Sequence, residues 1–140
     1  MTVTFDMTID LPIVGFGFNG ADGMSYSFGN DATPTGNGNT VNGRGSKLRL
    51  CFDTAPNANG NVPGTYLVYG MTNNNEVAPG NAQTLAFTSN TSLWHNQTNV
   101  PVELSINGAG KATVTIGGEV VFANIALPPS YLTEDVRTWN

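Results

Sequence analysis

Val102, Leu104 and Ile106 alternate with Glu103 and Ser105, an Asn107–Gly110 turn follows, and Val114 and Ile116 lead through Gly117-Gly118 into the apolar run 120–125. Successive side chains leave a strand on opposite sides, so period-two alternation marks a strand with one wet face. A Gly-Gly link between two such runs predicts a two-residue hairpin, because both turn positions tolerate positive φ there. The segment therefore reads as a β-meander, and nowhere in the chain do apolar residues repeat at helical spacing for three turns.

The same period recurs upstream. Val3, Phe5, Met7 and Ile9 alternate with threonines and aspartates, and Met24, Tyr26 and Phe28 alternate with serines. Leu48, Leu50 and Phe52 run into a turn at Asp53, Tyr66–Tyr69 follows Pro63-Gly64, and a short strand is expected around Leu85–Phe87. Residues 29–45 and 71–83 have no period and read as loops; the first is long enough to be a binding loop. Short, evenly spaced strands with Gly, Asn and Pro turns predict an all-β fold, an antiparallel β-sandwich or jelly roll. At 140 residues the chain is read as one domain, 1–140.

Charge narrows the partners. Only 11% of residues are charged, five Lys/Arg stand against ten Asp/Glu, and the net charge is −5. A nucleic-acid partner needs a phosphate-neutralising basic patch, which this composition cannot supply. The polarity comes from Asn, Thr, Ser and Gly, which suit neutral, hydroxyl-rich partners. No eighteen-residue apolar run predicts a membrane span, and no basic segment followed by an apolar core reads as a signal peptide. The low-lysine, Asn/Thr/Gly-rich make-up points to an extracellular or cell-surface protein. Cys51 has no second cysteine to pair with and is expected as a small buried residue within an alternating strand.

Two polar turns stand out as candidate sites. In Gly20-Ala21-Asp22-Gly23, one carboxylate sits between glycines at the head of a strand. Such a group accepts charge-assisted hydrogen bonds from adjacent sugar hydroxyls, or satisfies the N–H groups of its own turn. In the loop after Phe52, the side-chain oxygens of Asp53, Asn57 and Asn61 with the Ala55 carbonyl form a possible hard-cation set for Ca²⁺. One carboxylate makes a weak Ca²⁺ site, so a metal-free loop is the main expectation. Trp94-His95-Asn96 offers a stacking surface for a sugar face; the alternative is Trp94 closing one end of the sandwich. Asn90-Thr91-Ser92 and Asn96-Gln97-Thr98 match the N-glycosylation pattern.

Taken together, the Ala-Asp-Gly turn, the Asp-Thr-x-x-Asn loop, the Val-Pro-Val-x-Leu strand and the Gly-Gly hairpin running into Val-Val-Phe-Ala-Asn-Ile resemble the L-type (legume-type) lectins. These belong to the concanavalin A-like lectin/glucanase superfamily, and the order of motifs looks like its bacterial secreted members. The resemblance implies a concanavalin A-like jelly roll whose sugar acceptor is Asp22, in a cis Ala-Asp peptide. It implies Asn57 as the sugar partner, with backbone donors at Gly23 and in the Gly43 loop, and places Asp53 and Asn57 in the metal loop. This chain departs from the pattern at Cys51, where the lectins carry a metal-binding glutamate. It departs again at Ala55, in place of the stacking aromatic, and at Asn61, in place of an acid. The resemblance also implies further strands beyond both ends of the segment, so an unpaired sheet edge is expected to be open to strand addition or self-association.

Hydrolysis is not expected. Retaining glucanases of this superfamily need two carboxylates about 5 Å apart, but Asp53 is the only acid between Asp31 and Glu76, and Glu103, Glu119 and Glu134 lie far apart in sequence. No nucleophile-elbow pattern accompanies His95. The expected function is non-catalytic carbohydrate recognition. The alternative is a structural subunit of an extracellular filament or surface assembly that keeps the lectin fold and exchanges strands between subunits.

Overall fold

A computed structural model describes residues 1–9, 23–29, 48–56, 62–70, 78–132 and 138–139. They form two antiparallel sheets. The first sheet holds β1 (Thr2–Met7), β6 (Val100–Ile106), β7 (Lys111–Ile116) and β8 (Glu119–Ala126), in the order β1-β6-β7-β8. The second holds β2 (Gly23–Gly29), β3 (Leu48–Asp53), β4 (Gly64–Tyr69), β5 (Thr84–Thr88) and β9 (Thr138–Trp139), in the order β5-β4-β3-β2-β9. A single helical turn, α1 (Pro129–Leu132), lies between β8 and β9.

The alternation read from the sequence decides what is buried. On β6, Val100, Val102, Leu104 and Ile106 are buried while Pro101 and Glu103 are exposed. Ala112, Val114 and Ile116 of β7 join them, and across the sandwich they meet Leu48, Leu50, Phe52 and Leu67 in one core. The Gly117-Gly118 hairpin forms as expected, with φ of 60° and 86°. Phe5 of β1 stacks on Tyr26 of β2, with ring centroids 4.6 Å apart and planes 10° from parallel, so these two strands oppose each other across the sandwich. At the far side β8 lies against β5.

β3 departs from simple alternation, since all six of its residues are buried. Leu48, Leu50 and Phe52 enter the main core, whereas Arg49, Cys51 and Asp53 lie on the other face of the sheet. There Cys51, Tyr66 and Val68 form a second buried cluster, with Phe87 packed against it. A strand buried on both faces is normally a continuous apolar run. This one carries an arginine and an aspartate instead, each with interaction partners.

The edges differ in regularity. β8 slips register twice against β7, at Val121 and again where Thr113 faces both Ala123 and Asn124. Asn124 takes φ 56°, and its N–H donates to Thr113 Oγ1 at 3.3 Å. β5 carries one bulge against β4. β1 runs against β6 without interruption over six residue pairs.

Candidate functional site

The described end of the first turn, Gly23, meets the start of the second, Asp53. β2 and β3 pair so that Gly23 stands directly opposite Asp53, and on the other side of β3 Asp53 stands opposite Gly64. Asp53 therefore ends the central strand between two glycines. Both glycines are required by close approach. A Cβ on Gly23 would lie 1.9 Å from the Phe52 carbonyl oxygen, and one on Gly64 would lie 2.2 Å from the Thr88 carbonyl oxygen. Gly23 also takes φ 126°, which L side chains rarely adopt.

Asp53 is fully buried. Its Oδ1 accepts the Ala55 N–H at 3.0 Å, an Asx turn that shapes the chain as it leaves β3. Thr54 and Ala55 are buried as well. Beside them, Tyr66 donates its hydroxyl to the Val62 carbonyl and accepts the Val62 N–H at 3.2 Å, which ties the approach to β4 onto the same end of the sheet. Burial pushes the Tyr66 phenol up to about 12, against the opposing pull of the Val62 hydrogen bond, and the nearby Asp53 adds to the rise.

Cys51 is the small buried residue expected. Burial pushes its thiol up to about 12; Arg49 opposes the shift and Asp53 reinforces it. Burial of this kind disfavours the thiolate, the form that acts as nucleophile or metal ligand.

Trp94 corrects the stacking-surface reading and follows the alternative, in which it closes one end of the sandwich. Its side chain is 0% exposed, so the indole has no open face to lay against a sugar ring. It packs edge-on against Phe52, with centroids 5.6 Å apart and planes at 81°, and Nε1–H donates to Thr65 Oγ1 at 3.0 Å. The large apolar ring is worth more in the core than in water, and the Thr65 hydroxyl satisfies its one polar atom. Trp94 thus closes the sandwich at the end where Asp53 lies.

Asp22, Gly43, Asn57 and Asn61 lie outside the described residues, as does the Ala21-Asp22 peptide. Of the four positions considered for Ca²⁺, Asp53 and Ala55 are described. The single carboxylate has one oxygen committed to its own turn. Among the described residues no three His, Cys, Asp or Glu side chains come together as a metal set.

Sequence reasoning missed the partnership of Thr65 with Trp94 and the in-register glycines flanking Asp53. The Pro63-Gly64 pair was the available signal for the second, but it reads as a turn until the register of β3 and β4 is known. A separate groove of about 380 Å³, lined by Thr4, Asp6, Pro101, Glu103 and Thr115 among others, lies on the outer face of the four-stranded sheet and shares no residue with the turn pair. Among the described residues no helix is long and apolar enough to cross a membrane.

No family model, curated protein or solved structure matches the chain. The architecture is that of a general two-sheet antiparallel β-sandwich.

Proposed function

We propose that the chain is a non-catalytic recognition module that binds carbohydrate at the end of the five-stranded sheet where β2 begins and β3 ends. The observation that carries this reading is the pairing of Gly23 with Asp53. Gly23, which follows Asp22 in the sequence, and Asp53, which opens the Asp-Thr loop, are paired on neighbouring strands, with Trp94, Thr65 and Tyr66 buried beside them. Recognition sites of this kind need polar groups held by a rigid scaffold, and at this end Asp53, Thr65, Tyr66 and Trp94 are buried, with Asp53 bonded to the Ala55 N–H and Trp94 to Thr65.

In this reading Asp22 accepts hydrogen bonds from vicinal sugar hydroxyls. Asn57 and the backbone of the Gly43 loop complete the contact, and specificity rests on hydroxyl geometry rather than ring stacking, since Trp94 is withdrawn into the core. Ca²⁺ enters only as a weak ligand of the Asp53 loop, and the location is extracellular. The test is a glycan array on the full chain and on Asp22→Ala, with and without Ca²⁺, with thermal unfolding as the folding control. The expected result is binding by the parent and its loss in the variant at an unchanged midpoint. Equal binding by both proteins, or none by either, overturns the reading.

A further inference from the structure

The two sheets are unequal. β1 lies opposite β2, as the Phe5–Tyr26 stack fixes, yet the five-stranded sheet continues beyond β2 to β9. The four-stranded sheet stops at β1, so the place beside β1 and across from β9 holds no named strand among the described residues. The inward residues Val3 and Phe5 are only partly buried at this edge.

The hydrogen-bonding groups that face this place can be identified. Met1 and Ile106 exchange both backbone hydrogen bonds, at 2.7 and 2.8 Å. In an antiparallel ladder such pairs alternate, so Val3, Phe5 and Met7 also bond to β6, and Thr2, Thr4 and Asp6 direct their N–H and C=O groups away from β6, where no strand among the described residues pairs with them. Bulges, which blunt an edge against strand addition, occur on β8 and β5. The β1–β6 ladder has none.

The outer face beside this edge is acidic. Asp6 and Glu103 are exposed there and line the groove of about 380 Å³ together with Thr4 and Thr115. Pairing of β1 with β1 of a second copy fits poorly, because β9 of each copy would then lie beneath the other's β1, the place that β2 already holds.

We propose that β1 is a docking edge for one extended segment of another protein, which adds as a fifth strand to this sheet and presents Lys or Arg on its outward row. Apolar residues on the segment's inward row complete the cover over Val3 and Phe5. Outward basic side chains fall beside Asp6 and reach into the groove towards Glu103, so backbone bonds supply affinity and the groove selects charge.

The test uses the full chain and two synthetic heptapeptides, Thr-Val-Lys-Val-Lys-Val-Thr and its Glu-for-Lys counterpart, with binding read by calorimetry and backbone amides followed by hydrogen exchange. The expected result is at least tenfold tighter binding of the Lys peptide at low salt, with new protection at Thr4 and Asp6. Asp6→Asn should shrink the preference severalfold. Thr4→Pro, which removes an edge-facing N–H and leaves the β6 ladder intact, should abolish binding; Thr4→Lys provides a second edge variant and should weaken the Lys peptide selectively. Equal binding of the two peptides, binding of neither at millimolar concentration, Thr4 and Asp6 amides already protected in the free monomer, or self-association that consumes the β1 edge would each overturn the proposal. Glycan binding at the β2–β3 end is unaffected by any of these results.

Discussion

Gly23 and Asp53 face one another across β2 and β3 so closely that the glycine has no space for a methyl group, its Cβ position lying 1.9 Å from the Phe52 carbonyl oxygen. The aspartate beside it is fully buried and holds its own turn through the Ala55 N–H. The end of the central strand is thus fixed from both sides by groups that cannot be enlarged.

Gly23→Ala should therefore destabilise the fold by about 3 kcal/mol or more, from the combined backbone strain and steric overlap. Gly108 sits in the exposed β6–β7 turn with open space around its Cβ position, so Gly108→Ala should stay within about 0.5 kcal/mol of the parent. Urea unfolding of the two variants, read from the same fluorescence signal, measures the contrast.

Thr65→Val leaves the Trp94 indole N–H buried without its hydroxyl acceptor and should cost about 1–3 kcal/mol. Adding Trp94→Phe to Thr65→Val should cost less than the sum of the single changes, because only one hydrogen bond is there to lose. A double-mutant cycle gives the coupling, and strict additivity would show that the pair contributes nothing beyond packing.

Cys51 and Tyr66 each hold a proton more tightly folded than unfolded. In the unfolded chain they ionise near their ordinary values of 9.0 and 10.0. Unfolding then releases protons, and stability falls as pH rises from about 9 towards 12. Below pH 9 this contribution is fully present. Cys51→Ala should flatten the decline without removing it, and a thiol reagent at pH 8 should label native Cys51 only at the rate at which the chain opens.

Asn124 occupies the left-handed region at φ 56° within a bulge of β8. Asn124→Gly should be nearly neutral, whereas Asn124→Val should cost about 1–2 kcal/mol, since a branched side chain is strained at that φ. The Val variant also favours a straighter edge, so its aggregation rate under mild heating should exceed that of the Gly variant.

The strands were legible because alternation and hairpin chemistry act locally. The meander over β6 to β8 follows from its own side chains, and so does the burial of Cys51. The pairing of Gly23 with Asp53 was not legible, because register is a relation between segments that are far apart in sequence. For Trp94 the end-closing role was among the readings, but its partners were not legible. Its neighbours His95 and Asn96 are polar, which reads locally as an exposed loop, while its true partners Phe52 and Thr65 lie some thirty to forty residues away. β9 and α1 are too short to carry a period at all. Of the candidate site positions, Gly23, Asp53 and Ala55 lie among the described residues, where Asp53 and Ala55 share a turn; Asp22, Gly43, Asn57 and Asn61 fall outside them.

The β6–β7–β8 meander also bears on the order of folding. Its strands close through turns of two to four residues, so its contacts cost little loop entropy and can form within microseconds. β1 must find β6 across almost a hundred residues of intervening chain, a search that high contact order makes slow. A newly made chain would then hold a finished three-stranded sheet before its first strand arrives. The side of β6 that awaits β1 is the surface a chaperone would have to shield during that interval.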